Sequence, residues 1–189
     1  MNLHNNKELF EQIITAAAED FRPISASIVE KDYYVTQFLK KLTGVQPDLI
    51  FKGGTSLSKG YKIIKRFSED IDVSLRSSEM RPSREQKNRL NENIGLLTKE
   101  LGLELLNPIK NLDEQEFTNY IIKYTPIFPT PILNPHILVE ASFFMKSFPE
   151  EILQISSLVH DFMLANDGHT EIEANSLQPF KVPIQSLFK

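Results

Sequence analysis

Between Phe51 and Leu75 the chain reads FKGGTSLSKGYKIIKRFSEDIDVSL, and no other stretch limits the fold as tightly. An apolar run starting at Leu49 is broken by Gly53-Gly54, where paired glycines permit backbone angles and close approaches that a Cβ forbids. Thr55 suits a helix N-cap, because its hydroxyl oxygen can accept from the first unpaired amides. Leu57, Tyr61 and Ile64 recur behind it at helical spacing. From Asp70 to Leu75 polar and apolar residues alternate strictly, which is the pattern of a strand with one buried face. The predicted order is strand, glycine turn, basic helix, strand.

This order places opposite charges together. Side chains two apart on a strand point the same way, so Asp70 and Asp72 stand side by side. Two such carboxylates raise each other's pKa unless a cation lies between them. Mg²⁺ suits the position, with Mn²⁺ as a substitute, because it takes oxygen ligands and commonly combines one or two carboxylates with substrate phosphates. Between Lys52 and Ser68 there are Lys52, Lys59, Lys62, Lys65 and Arg66 and no acid, an arrangement that favours a phosphate-rich ligand. A glycine turn opening a helix is a ready anion site. The spacing is neither that of a P-loop, since no Gly-Lys-Ser/Thr follows, nor that of a dinucleotide fingerprint. Taken singly, each feature has a plainer reading: a solvated strand face, an ordinary turn, a wet helix face.

Together the features resemble a known family. Gly53-Gly54-Thr55-Ser56 followed by Arg66-Phe67-Ser68-Glu69-Asp70-Ile71-Asp72 resembles the signature of DNA polymerase β-type nucleotidyltransferases. More narrowly, KGGTSLSKGY and RFSEDIDVSL are similar to the AbiEii/AbiGii abortive-infection toxins of type IV toxin–antitoxin systems. The resemblance implies Mg²⁺-dependent transfer of NMP from an NTP to an RNA acceptor, for which tRNA is the candidate, by a toxin restrained by a cognate antitoxin. It implies Asp70 and Asp72 as metal-holding catalytic carboxylates, with Gly53, Gly54, Thr55, Ser56, Lys59 and Arg66 around the nucleotide. It also looks for a third carboxylate on a neighbouring strand. Glu140 fits, lying in the apolar run His136–Met145, where a buried carboxylate is costly unless paired or bound to metal. Pairing with a lysine such as Lys52 is the competing reading.

The rest of the chain supplies a scaffold. Its 189 residues are enough for one domain, 1–189, and 41% hydrophobic with 24% charged residues is an ordinary globular balance. There is no cysteine, so disulfides and cysteine metal sites are excluded. No secretory leader is visible at the N-terminus, and a cytoplasmic protein is expected. A net charge of −4 argues against indiscriminate coating of nucleic acid. Helices are predicted over 8–20, from Ser27 (a possible capping box with Glu30) to about Leu42, from Ser83 (capping box with Gln86) to Leu101, and over 156–166. The Glu30-Lys31-Asp32-Tyr33 run resembles the family's pre-strand helix, from which its charges could reach the site, but it reads first as exposed helix charge. Strands are predicted over 103–109, 117–124, 136–145 and 180–184. The expected fold is α+β: a polymerase β-type nucleotidyltransferase fold with a mixed, mostly antiparallel sheet packed against helices.

The family's C-terminal helical region, with a functional lysine and a further aspartate, maps onto no residue here, so the chain is expected to be shortened. A second reading is therefore an inactive remnant that binds Mg·NTP or a partner protein. A third is an RNA-binding module using the Lys59–Arg66 and Arg81–Arg89 clusters.

Overall fold

The computed structural model describes residues 2–64, 67–79, 81–109, 116–143 and 149–187. Helix α1 (Lys7–Asp20) starts where the Asn6 side chain accepts from the Leu9 amide at 3.2 Å, and it buries Phe10, Ile13, Ile14 and Ala17 along one stripe. Helix α2 (Ala26–Val45) is buried over most of its length. Then come strand β1 (Leu49–Lys52), a short helical turn α3 (Gly53–Thr55) that continues as a π turn over Ser56–Gly60, and strand β2 (Asp70–Leu75). Helix α4 (Arg84–Glu100) opens on the predicted capping box: the Gln86 amide donates to Ser83 Oγ at 3.2 Å, and the Ser83 amide donates to Gln86 Oε1 at 3.0 Å. Strands β3 (Glu104–Leu105), β4 (Phe117–Lys123), β5 (His136–Ser142) and β6 (Glu150–Ile155) follow. Helices α5 (Leu158–Ala165) and α6 (His169–Ala174) and strand β7 (Phe180–Gln185) complete the order.

Among the described residues the strands form one seven-stranded sheet, in the order β3-β4-β5-β2-β1-β7-β6. Four pairings are antiparallel, and β2–β5 and β1–β7 are parallel, so the sheet is mixed and mostly antiparallel as expected. The strict alternation of β2 works as predicted. Ile71, Val73 and Leu75 are buried in a single core with Phe51, Val139, Phe38 and Leu39, while Asp70, Asp72 and Ser74 face the other way and are half-buried. Burial of this apolar face, at roughly 25 cal/mol per Å², is what fixes the register of β2, since a one-residue slip would turn its aspartates inward.

Several elements differ from the sequence reading. Thr55 does not cap the helix. Lys52 holds the N-cap position without a side-chain bond, and Thr55 is the last residue of α3. The helix does not reach Ile64: the chain leaves the π turn at Tyr61, and Lys62 has φ +56°. Gly60, at the end of that turn, lies against β7, where a Cβ would collide with the Ile184 side chain. Ser27 lies inside α2, whose N-cap position is Ser25; the Ser25 hydroxyl bonds Ser27 Oγ at 2.9 Å rather than capping an amide. The strand expected over 103–109 shrinks to Glu104–Leu105. The Asn107 side chain replaces the ladder, donating to the Asn119 carbonyl at 2.8 Å and accepting from the Ile121 amide at 2.7 Å, and Pro108 has no amide to offer. Strand β6 and helix α6 had no counterpart in the sequence reading.

Candidate active site

The aspartates of β2 face a row of polar side chains that crosses four strands. Asp72 is in register with Lys52 on β1 and with Glu140 on β5, and Glu140 is in register with Asn119 on β4. Lys52, Asp72, Glu140 and Asn119 therefore share one face of the sheet, with Asp70 two residues from Asp72 on the same side. The three predicted carboxylates come together on neighbouring strands. Asn119 was not anticipated, because its place depends on the β4–β5 register, which nothing local encodes.

The electrostatics follow from this crowding. Asp72 is pushed up to about 6, first by burial and then by the Glu140 carboxylate, against the opposing pull of Lys52. Asp70 is also raised, by burial first and then by Glu69 and Glu140, with Lys31 and His136 opposing. Burial lowers Lys52, although Asp72 and Glu140 both work to keep it charged. The Lys52 ammonium donates to Ser142 Oγ at 2.6 Å. Among the described residues no group of three His, Asp or Glu side chains is gathered closely enough to hold a metal ion. The donor set nevertheless suits one. It is all oxygen, it repels itself in the absence of a cation, and two carboxylates completed by substrate phosphates form an ordinary Mg²⁺ environment.

The glycine turn closes directly over this pair. Gly53 has φ +71°, and a Cβ there would fall within the Asp72 carboxylate. The position thus requires glycine twice over, for its left-handed backbone and for the approach of its backbone to Asp72. Gly54 follows in α3 and is half-buried. Thr55 and Ser56 are buried, and their hydroxyls are spent locally. Thr55 Oγ1 donates to the Asp70 carbonyl at 2.5 Å and is hydrogen-bonded to Ser68 Oγ at 2.8 Å, where the Ser68 hydroxyl can donate, and Ser56 Oγ donates to the Gly53 carbonyl at 2.8 Å. Thr55 braces the turn against β2, and Ser56 braces it from within. Lys59 pairs with the buried Asp32 and points its charge toward α2, beside a cleft of about 450 Å³ lined by Ile24, Ile28, Phe67 and Leu158 among others. Arg66 lies outside the described residues.

The charged run of α2 is the main correction. Glu30, Lys31 and Asp32 are 1%, 2% and 3% exposed, not a solvated face. Glu30 accepts from the Ile127 and Phe128 amides at 2.8 and 3.0 Å, Lys31 pairs with Glu69, and Asp32 accepts from the Leu158 amide at 2.8 Å besides pairing with Lys59. The basic start of α4 is similarly committed: Arg81 meets Glu116 at 2.6 Å, Arg89 meets Asp48 at 2.8 Å, and the buried Lys87 ammonium lies 5.0 Å from the Phe143 ring centroid. These contacts take from the RNA-binding-module reading several of the cations it needed.

The fold and site define the class: an α+β domain with a glycine turn packed against paired carboxylates on a mixed sheet. The model of the family described as nucleotidyl transferase AbiEii toxin, type IV TA system, matches residues 37–187. The chain belongs to that family. Its structure is similar to that of MenT4, a nucleotidyltransferase toxin from Mycobacterium tuberculosis H37Rv, with a TM-score of 0.55 and 19% sequence identity. The match covers 94% of this chain and 55% of MenT4, so the chain spans about half of that protein. Comparison with curated proteins gave no match. Among the described residues no helix is long and apolar enough to cross a membrane.

Proposed function

We propose that this chain carries the catalytic centre of a Mg²⁺-dependent nucleotidyltransferase toxin, which transfers NMP from an NTP to an RNA acceptor, with tRNA as the candidate. The observation that carries the reading is the register of Asp72 with Glu140 beneath the Gly53 backbone, with Asp70 on the same face. In the reaction an acceptor hydroxyl loses its proton and forms a bond to the α-phosphorus, and the bond to pyrophosphate breaks. Asp70 and Asp72, completed by substrate phosphates, would hold the cation with Glu140 beside Asp72, Mn²⁺ being able to replace Mg²⁺. When bound there, Mg²⁺ supplies Lewis-acid polarisation of the phosphate and neutralises charge at the attacking and leaving oxygens.

The remaining work belongs to the chain itself. The Gly53-Gly54 backbone, with no Cβ in the way, can bring amides to the triphosphate. Thr55 and Ser56 keep that turn in place through their bonds to Asp70 and Gly53. Lys52 sets a positive charge beside Asp72, where it limits repulsion among the carboxylates. Arg66 and Lys59 remain candidates to meet phosphate charge, Lys59 only by exchanging its contact with Asp32. The RNA acceptor and the antitoxin partner come from the family resemblance and, with the cytoplasmic setting expected from the sequence, belong to this proposal.

The test is nucleotide binding by Asp70→Ala and Asp72→Ala. Both variants are expected to fold and to lose Mg²⁺-dependent binding of NTP, seen by calorimetry with each of the four nucleotides. Wild-type affinity in both would sink the site.

A further inference from the structure

Lys31 is a buried charge. Its side chain is 3% exposed, and its ammonium makes contacts with two separate segments. It pairs with Glu69, the residue immediately before Asp70, and it donates at 3.1 Å to the carbonyl of Asn134. That carbonyl also accepts from the His136 amide at 2.8 Å, so it forms the turn from which β5 starts. β2 and β5 are parallel and run from this same end, Asp70 in register with Leu138 and Asp72 with Glu140. One ammonium on α2 thus fastens the entrances of the two strands that carry the carboxylates.

Stability alone gives little reason for a lysine here. Desolvating an ammonium is costly, and a well-packed apolar side chain of similar volume is often as stable or more so. What an apolar side chain cannot do is hold acceptors from two strands at a set separation. We infer that Lys31 is a positioning residue for the active site, setting the lateral and lengthwise relation of β2 to β5 and through it the relation of Asp70 and Asp72 to Glu140. This rests on the carboxylate-site reading above. Lys31 touches neither nucleotide nor cation in this role.

The test uses the full chain as wild type, Lys31→Met, Lys31→Arg and Glu69→Gln. Hydrogen exchange is followed by mass spectrometry, and label transfer is measured with Mg²⁺, each NTP and bulk tRNA. In Lys31→Met the amides of Asp70–Asp72 and His136–Glu140 are expected to exchange about tenfold faster, while α4 and β6–β7 keep wild-type rates. The kcat should fall about 100-fold with KM within about threefold, as for a small displacement of reacting groups. Lys31→Arg, which can still reach both acceptors, should recover most of both effects. Glu69→Gln removes only the charge of the contact before Asp70, leaving a weaker neutral hydrogen bond, and should loosen β2 alone, which keeps the inference testable if Lys31→Met does not fold. Wild-type exchange on both strands in Lys31→Met would overturn the inference. So would acceleration spread evenly over sheet and helices, which would make Lys31 a general stabiliser. A wild type that transfers no label would contradict the proposed function instead, and the exchange comparison would still decide the role of Lys31.

Discussion

At the residue scale the site is a strained cluster of like charges, and its chemistry is set against its stability. Asp72 has its carboxyl raised to about 6 from an ordinary 3.8. A carboxyl raised on folding binds its proton more tightly in the folded chain, so its contribution to stability is greatest below about 3.8 and is lost as pH rises through about 6. Asp72→Asn keeps the shape and removes the charge. At pH 7.5 it is expected to raise Tm by about 2–4 °C, a shift of about 1 kcal/mol discounted for solvent screening at a half-buried group. It should also flatten the decline in Tm between about pH 4 and pH 6. A Tm below that of wild type at pH 7.5 would show that Asp72 is held by attraction rather than repulsion. Gly53→Ala tests the other side of the same contact. The left-handed backbone costs alanine roughly 1–2 kcal/mol, and the new methyl must also displace the Asp72 carboxylate. Lower stability and lost Mg²⁺-dependent nucleotide binding are expected together.

At the scale of elements, the turn and strand behave as one unit because Thr55 joins them. Thr55→Val conserves shape and removes the donor to the Asp70 carbonyl and the partner of Ser68 Oγ, and it is expected to cost about 1–2 kcal/mol in denaturant unfolding with no change in m-value. Ser83→Ala, which breaks the α4 capping box far from the site, should cost about 1 kcal/mol and leave nucleotide affinity at the wild-type level. The two elements also show what a sequence can disclose. Asp70 and Asp72 could be read from alternation alone, and Ser83 with Gln86 from a four-residue spacing, because the physics in each case is local. Glu140 was legible as an anomaly, a carboxylate in an apolar run, and as the third carboxylate the family resemblance looks for; its alignment with Asp72 depends on pairing strands distant in sequence. Lys31 was misread because helical charges are usually wet, and the partners that make its burial tolerable lie 38 and 103 residues away. The Thr55 hydroxyl was assigned to a cap because nothing local announces that the carbonyl of Asp70 will lie above it.

At the scale of the whole molecule, α2 packs behind a sheet whose other face carries the carboxylates, and its buried charges hold the loops and strand entrances around them. The nucleotidyltransferase fold was legible because the Gly53–Ser56 turn and the Asp70–Asp72 strand, close in sequence, resemble a known family, whereas β6 and α6 carry only weak periodic signals. If the site holds Mg·NTP, the ligand stabilises the chain by mass action, by about 2.7 kcal/mol at a hundredfold excess over Kd, and chelation of Mg²⁺ should abolish that gain in Tm. The most direct measurement is transfer itself. The 189-residue chain and Asp72→Asn are each incubated with Mg²⁺, bulk tRNA and one α-labelled NTP at a time, and label on RNA is counted. The account predicts labelled RNA from wild type with at least one nucleotide, and none from Asp72→Asn or in the presence of chelator. Equal labelling by wild type and Asp72→Asn, or none by wild type with any nucleotide, would contradict it.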